Sequence, residues 1–227
     1  MTINADISLI RLMQLCSSTL PIGGFTYSQG LEWAVECQWM TTEADLKKWL
    51  LDLVETNLQY LEIPLLLRMF KACQDKDEKA LSAWSDILIA HRETSELRLE
   101  EVNRGRAMTR LLIDLNMEIP SSSWQSVLAK TQTAGFAYTI EQWKIPIEQA
   151  AQGFAWAWLE NMVISGVKLV PLGQAAGQRI LQDLAQPLAF SVQRGMAMSD
   201  EDIGSSSPVV AYVSARHETQ YTRLFRS

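Results

Sequence analysis

Along most of this 227-residue chain the apolar positions recur at the three-and-four spacing of amphipathic helices. Before residue 208 no stretch alternates long enough to read as a strand. Ile7, Ile10, Leu12, Met13 and Cys16 predict a short first helix. Thr42, with Asp45 three residues on, opens a longer one through Leu46, Trp49, Leu50, Leu53, Val54, Leu58 and Leu61. Pro64 is expected to kink or restart that helix, leaving 65–73 as a second segment before the charged connection 74–79. Leu81, Trp84, Ile87 and Leu88 mark the next helix. Residues 90–115 read as a long polar helix, with Arg92/Glu96, Glu96/Glu100 and Glu100/Arg104 spaced four apart along an expected solvated face. His91 fits a core-edge or capping position. Ser121 to Ser123 can cap two shorter helices near 122–131 and 132–143, and GQAAGQRILQDLA makes another that Pro187 should break.

The stretch from Ile147 to Leu172 differs from all of these because it is apolar on nearly every side. A helix of that kind must be covered all round, by lipid or by other helices. Glu148, Glu160, Asn161 and Lys168 interrupt it too often for a membrane span. It therefore reads as a central core helix ending before Pro171, with Gly153, Ala155, Ala157 and Gly166 allowing close approach and Lys168 in a last turn that favours a cation. The expected architecture is all-α, about ten helices in one domain over residues 1–198.

Residues 199–207 turn acidic and small and read as a flexible linker. In the tail beyond it, 208–227, the charge changes sign, with Arg216, Arg223 and Arg226 against Glu218. Val209, Val210, Tyr212 and Val213 have extended character. Burying Tyr221, Leu224 and Phe225 would give roughly 1.5–3 kcal/mol each. Ordering about a dozen residues costs about 1–2 kcal/mol apiece in backbone entropy. The tail's own side chains fall short, so either a partner groove or its own domain must supply the rest.

The bulk numbers, 48% apolar and 20% charged, are those of an ordinary globular protein, and a net charge of −6 argues against nucleic acid as a partner. Three scattered cysteines, no leader-like start and no membrane span fit a cytoplasmic chain. With only His91 and His217, an intrachain histidine metal site or catalytic cluster is hard to build. At residues 20–36, Pro21 and Gly23-Gly24 make a corner between helices, with Thr26, Tyr27 and Ser28 placed to cap. This corner is no phosphate loop, because the sequence has no Gly-Lys pair, and no nucleophile elbow, because Thr26 replaces the glycine two before Ser28.

Four stretches, LPIGGFTYSQGLE (20–32), HRETSELRLEE (91–101), WLENMVISGVKLVPLGQ (158–174) and SARHETQYTRLFRS (214–227), together resemble the urease accessory protein UreF family. The likeness runs over essentially the whole chain in matching order, and the first and last stretches are the most specific. Thr26 stands where serine is common and keeps the hydroxyl. The resemblance implies an all-helical, cytoplasmic, dimeric protein that is not an enzyme. It implies a complex on apo-urease with a UreD (UreH) accessory protein and the GTPase UreG, inserting nickel at the expense of GTP. It links Lys168 to control of the GTPase, and gives the corner with Gly23, Gly24, Thr26, Tyr27, Gly30 and Glu32 a surface near the dimer and the GTPase. Arg216, His217, Glu218, Tyr221, Arg223, Leu224, Phe225 and Arg226 would form the tail that binds the UreD-type partner, with the bulky residues as anchors and the arginines as rim. No catalytic residue, metal ligand or tightly bound cofactor is expected beyond a weak nickel contact; GTP and magnesium belong to the partner. The rival readings are a nickel storage or transfer protein, and a helical hydrolase using Glu32 or Glu160 with Tyr27.

Overall fold

The computed structural model describes residues 7–204 and 207–227. They form α1 (Ser8–Leu15), α2 (Leu31–Glu36), α3 (Glu43–Leu53), a π-helical segment (Val54–Glu62), α4 (Ile63–Gln74), α5 (Glu78–Ala90), α6 (Ser95–Asp114), α7 (Ser122–Leu128), α8 (Gln132–Gln142), α9 (Ile147–Leu169), α10 (Gln174–Met196) and α11 (Pro208–His217). With Glu43–Gln74 taken as one rod, ten helices and no strand lie among the described residues. The helix starts follow their caps. Thr42 and Asp45 make the reciprocal capping box of α3, and Asp77, Thr94, Ser121 and Thr131 each accept an N–H at the starts of α5, α6, α7 and α8.

Pro64 restarts the helix as expected, in the first turn of α4. Having no N–H, it leaves the carbonyl of Tyr60 without its usual partner. The rod widens into π geometry just before the proline, and the Gly204 N–H donates to the Tyr60 carbonyl at 2.9 Å. Pro187, by contrast, does not break its helix as expected. It sits inside α10, where Leu184, Leu188 and Val192 are buried on both sides of it, so packing outweighs one lost hydrogen bond.

The apolar helix α9 lies in the middle as expected, against α1, α2, α3, α4 and α10, and ends at Leu169 with Val170 extended ahead of Pro171. Its cover is incomplete, since Trp156 is 36% exposed. It shares the centre with α4, whose Ile63, Leu65, Leu66 and Met69 are fully buried against α5, α8, α9 and α10. Two glycines set close approaches: a Cβ on Gly195 would stand 2.7 Å from the Gln59 carbonyl, and one on Gly105 2.7 Å from that of Ala129.

Two sequence expectations give way here. The solvated face of α6 is reversed, for Glu100 and Glu101 are buried and so is Arg92 just ahead of the helix. Arg92 pairs with Glu62 and Glu101 rather than with Glu96, because only there can a buried cation find carboxylates. The tail is not extended over Val209–Val213. It forms α11, capped by Ser207 with Pro208 in the first turn, and buries Val210, Val213 and His217 at helical spacing. It packs on α2 and α6 of its own domain.

Candidate functional site

The corner begins with Gly23 at φ 74° and a single 3₁₀ turn, Gly24–Thr26, and returns to helix at Gly30, φ 81°, which starts α2. Left-handed backbone at both points favours glycine. At Gly30 space matters too, because a Cβ there would lie 2.5 Å from Val213 Cγ2 and 2.8 Å from the Ser214 nitrogen. The corner is thus built to receive α11. His91, at the end of α5, turns Nδ1 to the Ile87 carbonyl, the capping place expected of it.

The last ten residues, beyond α11, are held by groups of the helical body. Glu32, on α2, takes the Leu224 N–H at 2.6 Å on Oε1, and the Phe225 N–H at 2.9 Å and His217 Nε2 at 3.2 Å on Oε2. The Ser28 N–H and hydroxyl both donate to the Ser227 main-chain oxygen, at 2.7 and 2.6 Å, and the Arg226 N–H donates to the Thr26 carbonyl. Ser227 Oγ reaches Glu100 at 3.1 Å. His217, fully buried, has Glu96 against Nδ1 at 2.7 Å and Glu32 against Nε2, so both nitrogens face carboxylates. Arg223 also pairs with Glu96. Glu218 caps α6 from outside, accepting from the Ser95 hydroxyl and N–H and from the Glu96 N–H. The Ser95 hydroxyl bond is the main reason its carboxyl is held below the usual glutamate range. Charge-assisted bonds of this kind are among the stronger ones.

These contacts place the expected site residues plainly. Of the three bulky tail side chains only Phe225 is buried; Tyr221 is fully exposed and Leu224 is 68% exposed. Arg216 is exposed and stacks its guanidinium 5.8 Å over Trp33, and Arg226 is exposed. Glu32 and Tyr27, expected on a partner surface, are buried, with Glu32 beneath the tail. Gly24 and Thr26 are half-buried, and Phe25 between them is exposed. Lys168 is exposed, with no ion pair among the described residues, above a cleft of about 200 Å³ between α9 and α10. Asn161 of α9 lies against Gly24, so Lys168 sits seven residues further, about 10 Å along the helix. The structure joins the corner to the tail and leaves Lys168 apart from both.

Behind the corner is a small cavity of about 40 Å³ lined by Gln29, Glu62, Arg92, Glu101, Arg104 and Asn161, among others. Arg92 bonds Glu62 and Glu101, each at 2.5 Å, while Arg104 bonds Glu100 at 2.8 Å. Burial pushes the Glu62 carboxyl above its ordinary range despite Arg92. Sequence reading paired Glu100 with Arg104 but did not bring Ser28, Glu96 and Glu100 to the tail, nor Arg92 to Glu62 and Glu101. The available signal was Ser28 and Glu32 one turn apart at a glycine corner, with far more acid in 91–101 than an ordinary helix face needs. Among the described residues no group of three or more His, Cys, Asp or Glu is placed to hold a metal ion. The Cys16 and Cys73 thiols are pushed up to about 12 by burial.

The UreF family model matches residues 40–185. The urease accessory protein UreF of Alcanivorax borkumensis is 50% identical over 225 residues, covering 97% of this chain and 98% of that protein. That of Pseudomonas putida (strain KT2440) is 47% identical over 224 residues, covering 99% and 100%. That of Enterobacter sp. (strain 638) is 43% identical over 218 residues, covering 96% and 97%. With half its residues shared along nearly the full length, and the corner and tail locked into one unit, the chain belongs to the UreF family of urease accessory proteins.

Proposed function

We propose that this chain acts in urease maturation as a non-catalytic adaptor. It joins a UreD-type accessory protein to a UreG-type GTPase on apo-urease, in the cytoplasm, so that nickel is inserted as GTP is hydrolysed. The observation that carries the reading is the tail. Its backbone is fixed by Glu32, Ser28 and Thr26 while Tyr221 and Leu224 face solvent. An aromatic and an aliphatic side chain on an already ordered backbone make a hot spot whose entropic cost of binding is partly met in advance. Arg216 and Arg226 provide charge around it. We assign this face to the UreD-type partner, and the corner and, separately from it, Lys168 further along α9 to the GTPase. A homodimer fits the uncharged groove of about 620 Å³ between α1, α9 and α10, edged by the exposed Met13 and Trp156. No helix among the described residues is long and apolar enough to cross a membrane.

The test is co-purification of the full chain with its UreD-type and UreG-type partners. Tyr221→Asp with Leu224→Asp is expected to lose the UreD-type protein while circular dichroism and thermal midpoint stay as in the parent, since both side chains are exposed. Unchanged recovery of that partner overturns the assignment. Lys168→Ala is expected to leave assembly intact and to lower the GTPase turnover and the yield of nickel-loaded urease. Equal yields would remove Lys168 from the mechanism.

A further inference from the structure

The burial of Glu100 and Glu101 has a counterpart on the other side of α6. Leu99, Val102, Asn103, Arg106, Arg110 and Ile113 share one outer face by helical spacing. Leu99 is 57% and Ile113 46% exposed, and both arginines are exposed. Neither arginine makes a hydrogen bond or ion pair among the described residues. The glutamates of this helix are engaged elsewhere: Glu96 with His217 and Arg223, Glu100 with Arg104, Gln29 and Ser227, Glu101 with Arg92. Asp114 lies four residues past Arg110, at the helix end. Arg106 and Arg110 are themselves four apart, a like-charge pair that costs helix stability. A chain with net charge −6 thus carries, on this helix face, two exposed arginines without an ion pair among the described residues, beside exposed Leu99 and Ile113. The face borders the corner, because Asn103 Nδ2 lies 3.5 Å from the Tyr27 hydroxyl.

We infer that the outer face of α6, with Arg106 and Arg110 flanked by Leu99 and Ile113, is a docking surface for an acidic, partly apolar patch on the GTPase partner. Charge complementarity supplies the acidic occupant, and continuity with the corner assigns it to the GTPase; the inference rests on the adaptor reading above. Paired arginines favour carboxylates held about one turn apart and speed encounter by long-range attraction.

The experiment measures the affinity of the UreG-type GTPase, with GTP and magnesium, for the complex of the full chain with its UreD-type partner, at low and high salt. Arg106→Glu with Arg110→Glu is expected to weaken binding by about tenfold or more. It should also abolish the salt dependence seen with the parent and leave the UreD-type partner bound. Arg106→Ala with Arg110→Ala should weaken GTPase binding less, with a thermal midpoint equal to or above the parent's, which separates docking from folding. Parent-like GTPase affinity in the charge-reversed chain overturns the inference alone. Loss of the UreD-type partner instead overturns its assignment to the GTPase. A parent chain that fails to bind the GTPase at all overturns the adaptor reading together with it.

Discussion

At Arg92 the interior holds one guanidinium against Glu62 and Glu101, with Arg104 and Glu100 beside it. Such a set is costly to assemble and costlier to break, since the survivors stay buried. Arg92→Ala should lower stability by about 3–5 kcal/mol in a denaturant titration, because two carboxylates lose their cation together. This cluster was hard to read from sequence for a definite reason. Glu62 stands thirty positions from Arg92, and four-residue spacing within 90–115 offered a local partner, Glu96, that the fold gives to His217 and Arg223 instead. Glu100 with Arg104 was legible because both lie on one helix, one turn apart.

Among elements, α11 shows how the sequence pointed two ways. Its β-branched residues suggested an extended run, yet Val210, Val213 and His217 already followed a helical spacing, behind a serine cap and a proline in the first turn. The seat of this helix is Gly30. Gly30→Ala would need a left-handed alanine and place a methyl 2.8 Å from the Ser214 nitrogen. It should cost roughly 2 kcal/mol or more and make the segment beyond residue 207 sensitive to limited proteolysis before the body unfolds. The rods themselves were legible wherever an amphipathic stripe and a cap agreed, as at Thr42 and Ser121. The misread proline, Pro187, is half-buried on a helix held through Leu184, Leu188 and Val192, and packing of that kind leaves no local trace in sequence.

For the whole molecule, the tail binds because the body supplies the anchors. Weighing the tail's own side chains underestimated it, as Glu32, Ser28 and Glu96 are all body groups. Glu218 gives the attachment a pH signature. Its carboxyl is held low by Ser95, so its contribution is complete above the unfolded glutamate value of about 4.3 and fades as pH falls through the lower folded one. Amide protection factors at Ser95 and Glu96 should therefore drop on acidification below about pH 4, and Glu218→Gln should flatten that dependence.

The hydrogen bonds from Thr26, Ser28 and Glu32 to residues 224–227 close the chain into a ring between stations nearly two hundred residues apart. Tension applied at Ser227 therefore reaches the glycine bend directly, through the Ser28 and Thr26 bonds, as well as along the backbone that leads back to α11.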